Sequence, residues 1–233
     1  MLTRFTVSAC AAAVAMAATL TPMTADALEF RFNKAEVGFR GVTVDRNDPL
    51  GVESMRTSAG AFDFDELDSA GNILRNFVAW CFDLDTTIST GQTYTYDEAP
   101  DMLDADPPYL AGAQERVQKL FDASYDPSAV LANAQASAGF QLAIWEVLYD
   151  DDFDLATGNF TATDSNALDE AGGYLTGVGT YAGGQNWILT TYDSANAQDL
   201  GVASAIPLPA AAWLLLGVTG GLVAAKRRSA RRA

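Results

Sequence analysis

The chain contains no histidine. That absence removes the Ser-His-Asp and Cys-His relays, an imidazole general base and any His-ligated zinc. Cysteine is almost as scarce, with two in 233 residues, Cys10 and Cys81. Basic residues are few: 14 Lys and Arg stand against 30 Asp and Glu, for a formal net charge of −16. Between residues 28 and 205 the imbalance deepens to 8 basic residues against 29 acidic ones, a net −21. A body this acidic is repelled by nucleic-acid phosphates and anionic head groups, which argues against a nucleic-acid partner. Carboxylate chemistry, hard-cation binding, the chemistry of a lone cysteine, or no catalysis remain. Apolar residues make up 49 %, enough to build a packed core.

Both ends read as addresses. Residues 1–27 carry one basic residue, Arg4, then an Ala-rich apolar stretch, and end in Ala25-Asp26-Ala27 with small residues where signal peptidase cuts. Residues 206–233 have three parts. Ile206, Pro207, Leu208, Pro209 and Ala210 form a stiff, extended motif, because each proline locks φ and disfavours helix in the residue before it. An uncharged run follows to Ala225, then a cluster from Lys226 to Arg232. A helix from Pro209 to Ala225 would cover about 25 Å, marginal for a thin bilayer, and the terminal Lys/Arg cluster would stay cytoplasmic.

Motif, apolar run and basic end occur in the order found in the sorting signals of exosortase-processed bacterial proteins. The tail resembles the PEP-CTERM class, in the variant with V/I-P-L-P-A. The resemblance implies a Gram-negative exported protein, held transiently in the inner membrane by its C-terminal helix. An exosortase-like transpeptidase would cut it near the motif and leave it at the cell surface or outside the cell.

Between the addresses, alternation of apolar and polar residues from Leu28 to Val44 predicts two strands, with a polar turn at Asp45–Pro49. Further strands are expected at Ala61–Phe64, Ile73–Asp83 and Gly91–Tyr96, then an acidic loop over Asp97–Pro108. Helical periodicity marks Gly112–Tyr125, with Val117, Leu120 and Phe121 on one face, and Ser137–Tyr149, with Phe140, Ile144, Val147 and Leu148 on one face. Late strands or turns follow at Asn159–Thr163, Gly179–Tyr181 and Asn186–Asp193. This order predicts an α+β domain over residues 28–193, β-sandwich-like with an inserted pair of helices, then a small, polar linker at 194–205 and a C-terminal transmembrane helix.

Loss of the leader would take Cys10 with it and leave Cys81 alone, so no internal disulfide forms. Cys81 sits in Phe77-Val-Ala-Trp-Cys-Phe-Asp-Leu84, and later comes Gly139-Phe-Gln-Leu-Ala-Ile-Trp-Glu146. A lone thiol in an oxidising compartment is vulnerable unless buried or engaged. The simplest role for Cys81 is a small core hydrophobe, and for Gln141 a helix residue capping a backbone group.

Aromatic-Cys-apolar-Asp together with Gln-x-Ala-Ile-Trp resembles thioester domains of the TQxA type, known from adhesins of Gram-positive bacteria. In that family a cysteine thiol condenses with a glutamine carboxamide and releases ammonia. The resemblance implies that Cys81 is the thiol partner and Gln141 the acyl partner, open to attack by an amine on a surface partner. The family usually has Thr before the Gln, where this chain has Phe140. Trp80, Phe82, Phe140 and Trp145 would form a dry wall that slows hydrolysis.

An internal Lys–Asn isopeptide has only Lys34 and Lys119 to draw on in the body. The acidic runs Asp97–Asp106 and Asp150–Asp154 offer oxygen ligands suited to Ca²⁺, yet neither has EF-hand spacing, and a solvated acidic face explains both. No cofactor, metal-ligand set or catalytic residue is assigned. The expectation is a non-enzymatic surface or matrix protein. Its alternatives are a calcium-assisted acidic matrix protein and a secreted carboxylate-based glycosidase.

Overall fold

The computed structural model describes residues 27–48, 51–105, 109–163 and 165–207. The expected leader (apart from Ala27), Leu208, Pro209 and Ala210 of the sorting motif, and the apolar run with its basic end lie outside the described residues. No helix among the described residues is long and apolar enough to cross a membrane.

The strands are β1 (Leu28–Ala35), β2 (Arg40–Asp48), β3 (Gly51–Ala59), β4 (Phe62–Leu67), β5 (Ile73–Cys81), β6 (Thr93–Glu98), β7 (Phe160–Thr163), β8 (Trp187–Asp193) and β9 (Leu200–Ala205). The helices are α1 (Met102–Ala105), α2 (Ala113–Ser124), α3 (Pro127–Val130), α4 (Ala134–Tyr149) and α5 (Leu168–Leu175). Six strands close into an antiparallel barrel in the order β1-β4-β5-β9-β8-β6, and β3-β2-β7 form a separate sheet.

Alternation builds the barrel interior. Phe30 packs on Phe77 at 4.9 Å, Tyr96 at 5.0 Å and Tyr192 at 5.1 Å between ring centroids, and Phe64 stacks on Phe77 at 5.8 Å. Phe30 and Phe32 of β1, like Phe62 and Phe64 of β4, sit two residues apart in this aromatic core, the period that the pleat imposes. The hairpin between β4 and β5 turns at Asp68, whose carboxylate accepts from the backbone N–H of Ala70 and Asn72.

The mixed α+β class is what the structure has, but a closed barrel replaces the expected sandwich. The reason lies in residues 194–205, expected to be a linker. Leu200–Ala205 is β9, which pairs with both β5 and β8 and closes the sheet. Its small side chains hid it. Gly201 is small because the tip of the Phe82 ring meets the strand there, and a Cβ at that position would collide with it. Burial of β9 is confined to Leu200, Gly201 and Val202, so no long apolar run announces it.

Other differences are local. The Asp45–Pro49 turn is displaced, because β2 runs through to Asp48 and pairs with β3, a strand with too few apolar residues to be foreseen. Gly179–Tyr181 is not a strand, and α5 was not anticipated.

Helix α4 is the axis of the molecule. Asn133 caps it, its side chain accepting from the N–H groups of Gln135 and Ala136. The helix starts one turn earlier than the sequence suggests. Every residue from Ala136 to Tyr149 is buried, so the expected single apolar face becomes a helix covered all round. The second sheet and helices α2, α3 and α5 pack around it, and Ser137 and Gln141 reach the barrel side at Ala61 and Cys81, which explains why a run such as Phe-Gln-Leu-Ala-Ile-Trp tolerates so little polarity.

Candidate functional site

In an extended residue the N–H and C=O point to the same edge of the strand. Register decides which edge is free at Cys81. Ala79 pairs with Phe62 of β4, but β4 begins there, because Gly60 at φ 149° and Ala61 turn the chain away. On the other side Phe82 N–H donates to the Asp199 carbonyl at 2.8 Å. The N–H and C=O of Cys81 therefore face a gap where β4 has left the sheet.

Helix α4 fills that gap with two residues one turn apart. Ser137 Oγ accepts from Ala61 N–H at 2.8 Å. Gln141 Oε1 accepts from Cys81 N–H at 3.0 Å, and Gln141 Nε2 donates to the Cys81 carbonyl at 2.7 Å. The carboxamide thus lies across Cys81 as a neighbouring strand would. Gln141 is 0 % exposed and Cys81 1 %. The structure brings together the two residues that the sequence singled out.

The Cys81 thiol donates to the Asp83 carbonyl at 2.6 Å. Burial, then the charge of Asp83, pushes the thiol well above its ordinary value, against a smaller opposing effect of the Asp83 backbone. The Trp145 indole N–H works in the same opposing sense from beyond ordinary hydrogen-bond distance. The sulfur rests as a neutral, shielded thiol, and the low dielectric around it strengthens any dipole aimed at a developing charge.

All four expected shielding residues are buried, but they do not form one wall. Strand alternation turns Trp80 to the face opposite Cys81, where it meets Phe140 at 4.8 Å. Phe140 continues that cluster to Phe121 at 5.2 Å and Tyr125 at 5.3 Å. Phe82 is pressed onto Gly201, and Trp145 lies on the sulfur side.

Several neighbours escaped the sequence reading. Tyr149 OH donates to the Phe82 carbonyl at 3.2 Å, and Tyr109 OH donates to Asp199 Oδ2 at 3.2 Å. Burial, with Asp193 and Asp83 nearby, lifts the Asp199 carboxyl to about 7 against the backbone N–H of Ser194. Only Ser137 left a signal, its spacing of four from Gln141. Ile206 follows β9 directly and is 38 % exposed, its N–H donating to the Asn186 carbonyl at 3.4 Å, and Pro207 after it is exposed too. The start of the expected sorting motif thus leaves the rim of the barrel without an intervening linker.

A buried thiol and a buried carboxamide thus meet at the junction of a barrel strand and a central helix. Residues 78–180 match the model of the thioester domain family (TED). That span opens inside β5, closes after α5 and contains both Cys81 and Gln141. Among solved structures, a cysteine-to-alanine variant of the N-terminal thioester domain of a Clostridium perfringens surface protein is similar over 62 % of this chain and 89 % of its own length, with 14 % identity and a TM-score of 0.40. No curated protein matches.

Proposed function

We propose that this is an exported, non-enzymatic surface protein in which Cys81 and Gln141 form an internal thioester that captures amines covalently. The observation that carries the reading is the Gln141 carboxamide held on the Cys81 backbone at 3.0 and 2.7 Å. The family match over residues 78–180 supports it.

The geometry suits the chemistry. When Cys81 Sγ attacks Gln141 Cδ, negative charge develops on Oε1, which already accepts from Cys81 N–H. A fixed donor at the position where charge appears is the basis of oxyanion stabilisation, and it needs no histidine. The thiol proton passes to Nε2, the C–N bond breaks, ammonia leaves, and an S–C bond joins the two residues. The high thiol value slows the attack, but maturation happens once. A rate of roughly one event per hour tolerates a barrier of about 22 kcal/mol. An amine, such as a lysine of a surface partner, then attacks Cδ, giving an amide at Gln141 and a free thiol at Cys81.

Delivery would follow the tail: an exosortase-like transpeptidase, transient anchoring in the inner membrane, then the surface of a Gram-negative cell. The exposed start of the motif at Ile206 and Pro207 supports access by such an enzyme.

A second reading has its own observation. Both polar ends of Gln141 are satisfied by Cys81 alone, so the residue would serve equally as a permanent substitute for the missing strand partner. Intact-mass measurement separates the two. A mature protein lighter than its sequence by one ammonia, with Cys81 unreactive to alkylation until methylamine is added, supports the thioester. Full mass with alkylation of Cys81 only after unfolding overturns it in favour of the structural role. The glycosidase alternative gains nothing from the carboxylate cluster of Glu146, Asp150 and Asp152, where Glu146 is 0 % and Asp150 3 % exposed.

A further inference from the structure

Two turns beyond Gln141 helix α4 ends in a second constellation. Glu146, Asp150 and Asp152 each place one carboxylate oxygen within 4.8 Å of the others. Acidic clusters on a protein surface are common and mean little by themselves. This one differs because Glu146 is 0 % exposed, and its Oε2 meets no donor group, only the carboxylates of Asp150 and Asp152 beside it.

The other oxygens are held in place. Glu146 Oε1 accepts from Asp154 N–H at 3.0 Å. Asp150 Oδ1 accepts from Asp151 N–H at 2.7 Å, and Asp150 Oδ2 accepts from the N–H groups of Asn159 and Phe160. Asp152 Oδ1 accepts from Asp154 N–H at 2.9 Å, and Asp152 Oδ2 accepts from Thr157 Oγ at 3.0 Å. Donors of this kind orient carboxylates toward a common point, as the outer groups of a metal site do.

The charge there is only partly offset. Arg116 is the cation felt at Asp150, and its guanidinium is spent on the carbonyls of Val147, Ala111 and Leu110. Asp151 and Asp154 add further negative charge around the loop. A buried carboxylate oxygen with no partner costs stability until a proton or a cation meets it. The spacing admits a cation. Ligand oxygens around Ca²⁺ lie about 2.3–2.6 Å from the ion, so opposite ligands sit up to about 5 Å apart, whereas the octahedral Mg²⁺ shell at about 2.1 Å is tighter.

We infer that Glu146, Asp150 and Asp152 bind a calcium ion that ties the C-terminal end of α4 to the loop leading into β7. Asp150 already bridges these elements through Asn159 and Phe160. The ion would lock the loop of residues 151–159 and brace the helix that carries Gln141. The site requires no thioester.

Thermal melting and titration calorimetry of the full chain with calcium chloride test the inference, against EDTA and magnesium chloride. The expected result is a rise of several degrees in Tm with calcium, because an ion that binds the native state stabilises it. Glu146→Gln and Asp152→Asn should each weaken calcium binding at least tenfold while leaving Tm in EDTA unchanged or higher, since each removes repulsion. Retained folding in EDTA keeps the comparison interpretable. No calcium-dependent heat or shift in the parent protein overturns the inference, as does a shift that both variants retain or an equal response to magnesium.

Discussion

Gln141 lies across the backbone of Cys81, its oxygen on the Cys81 N–H and its nitrogen on the Cys81 carbonyl. One side chain thereby stands in for the strand that β4 fails to provide, and the same contact brings a carboxamide to the residue that carries the thiol. The structural role and the proposed chemical role therefore fall on one residue, and variants must be chosen to separate them.

Gln141→Ala should cost about 2–5 kcal/mol in denaturant unfolding, since it leaves a buried N–H and a buried C=O unpaired and opens a cavity. Gln141→Glu keeps the shape but has no ammonia to lose. Its second oxygen faces the Cys81 carbonyl and must be protonated to donate. The Glu variant should therefore be closer to the parent in stability at pH 5 than at pH 8. Equal losses at both pH values would mean that the Nε2 donor matters little.

Cys81→Ala isolates the chemistry. The backbone groups that hold Gln141 survive, and a small buried side chain is trimmed, so the loss should be only about 1–2 kcal/mol. Covalent uptake of methylamine should vanish. Uptake that persists in this variant, followed by mass, would place any reactive acyl group elsewhere.

Gly201→Ala probes barrel closure. A methyl group there meets the Phe82 ring, so the variant should lose about 1–3 kcal/mol through overpacking. Phe82→Leu in the same chain should recover part of the loss, because the two sites share the contact. Simple additivity in a double-mutant cycle would show that the ring does not depend on the glycine.

Asp199 predicts the sign of a pH dependence. Its carboxyl is raised from 3.8 to about 7, so the folded protein holds a proton that the unfolded chain has released. Stability from this group is complete below about pH 4, falls as pH rises toward 7, and is level above. Thermal melts from pH 5 to pH 8 should show a decline, and Asp199→Asn should make it shallower. Equal slopes would remove Asp199 as a cause.

Much of this protein was legible before any coordinates. Apolar alternation announced β1, a dense apolar run announced β5, and helical periodicity announced α2 and α4, although α4 is covered all round rather than on one face. Cys81 and Gln141 stood out through the rarity of cysteine and the motif around the glutamine. The absence of histidine already restricted the chemistry.

Tertiary structure alone decided the rest. β9 looked like a linker because it is small and buries only three residues, yet its pairing with β5 and β8 turns an open sheet into a barrel. The departure of β4 at Gly60 freed the edge of Cys81, and no local pattern encodes a missing neighbour. Glu146 gave no signal either, because a carboxylate on a helix reads as solvent-facing until the helix is surrounded. Composition and periodicity report what each segment prefers, while vacant edges and enclosed charges exist only between segments, once the chain has closed around them.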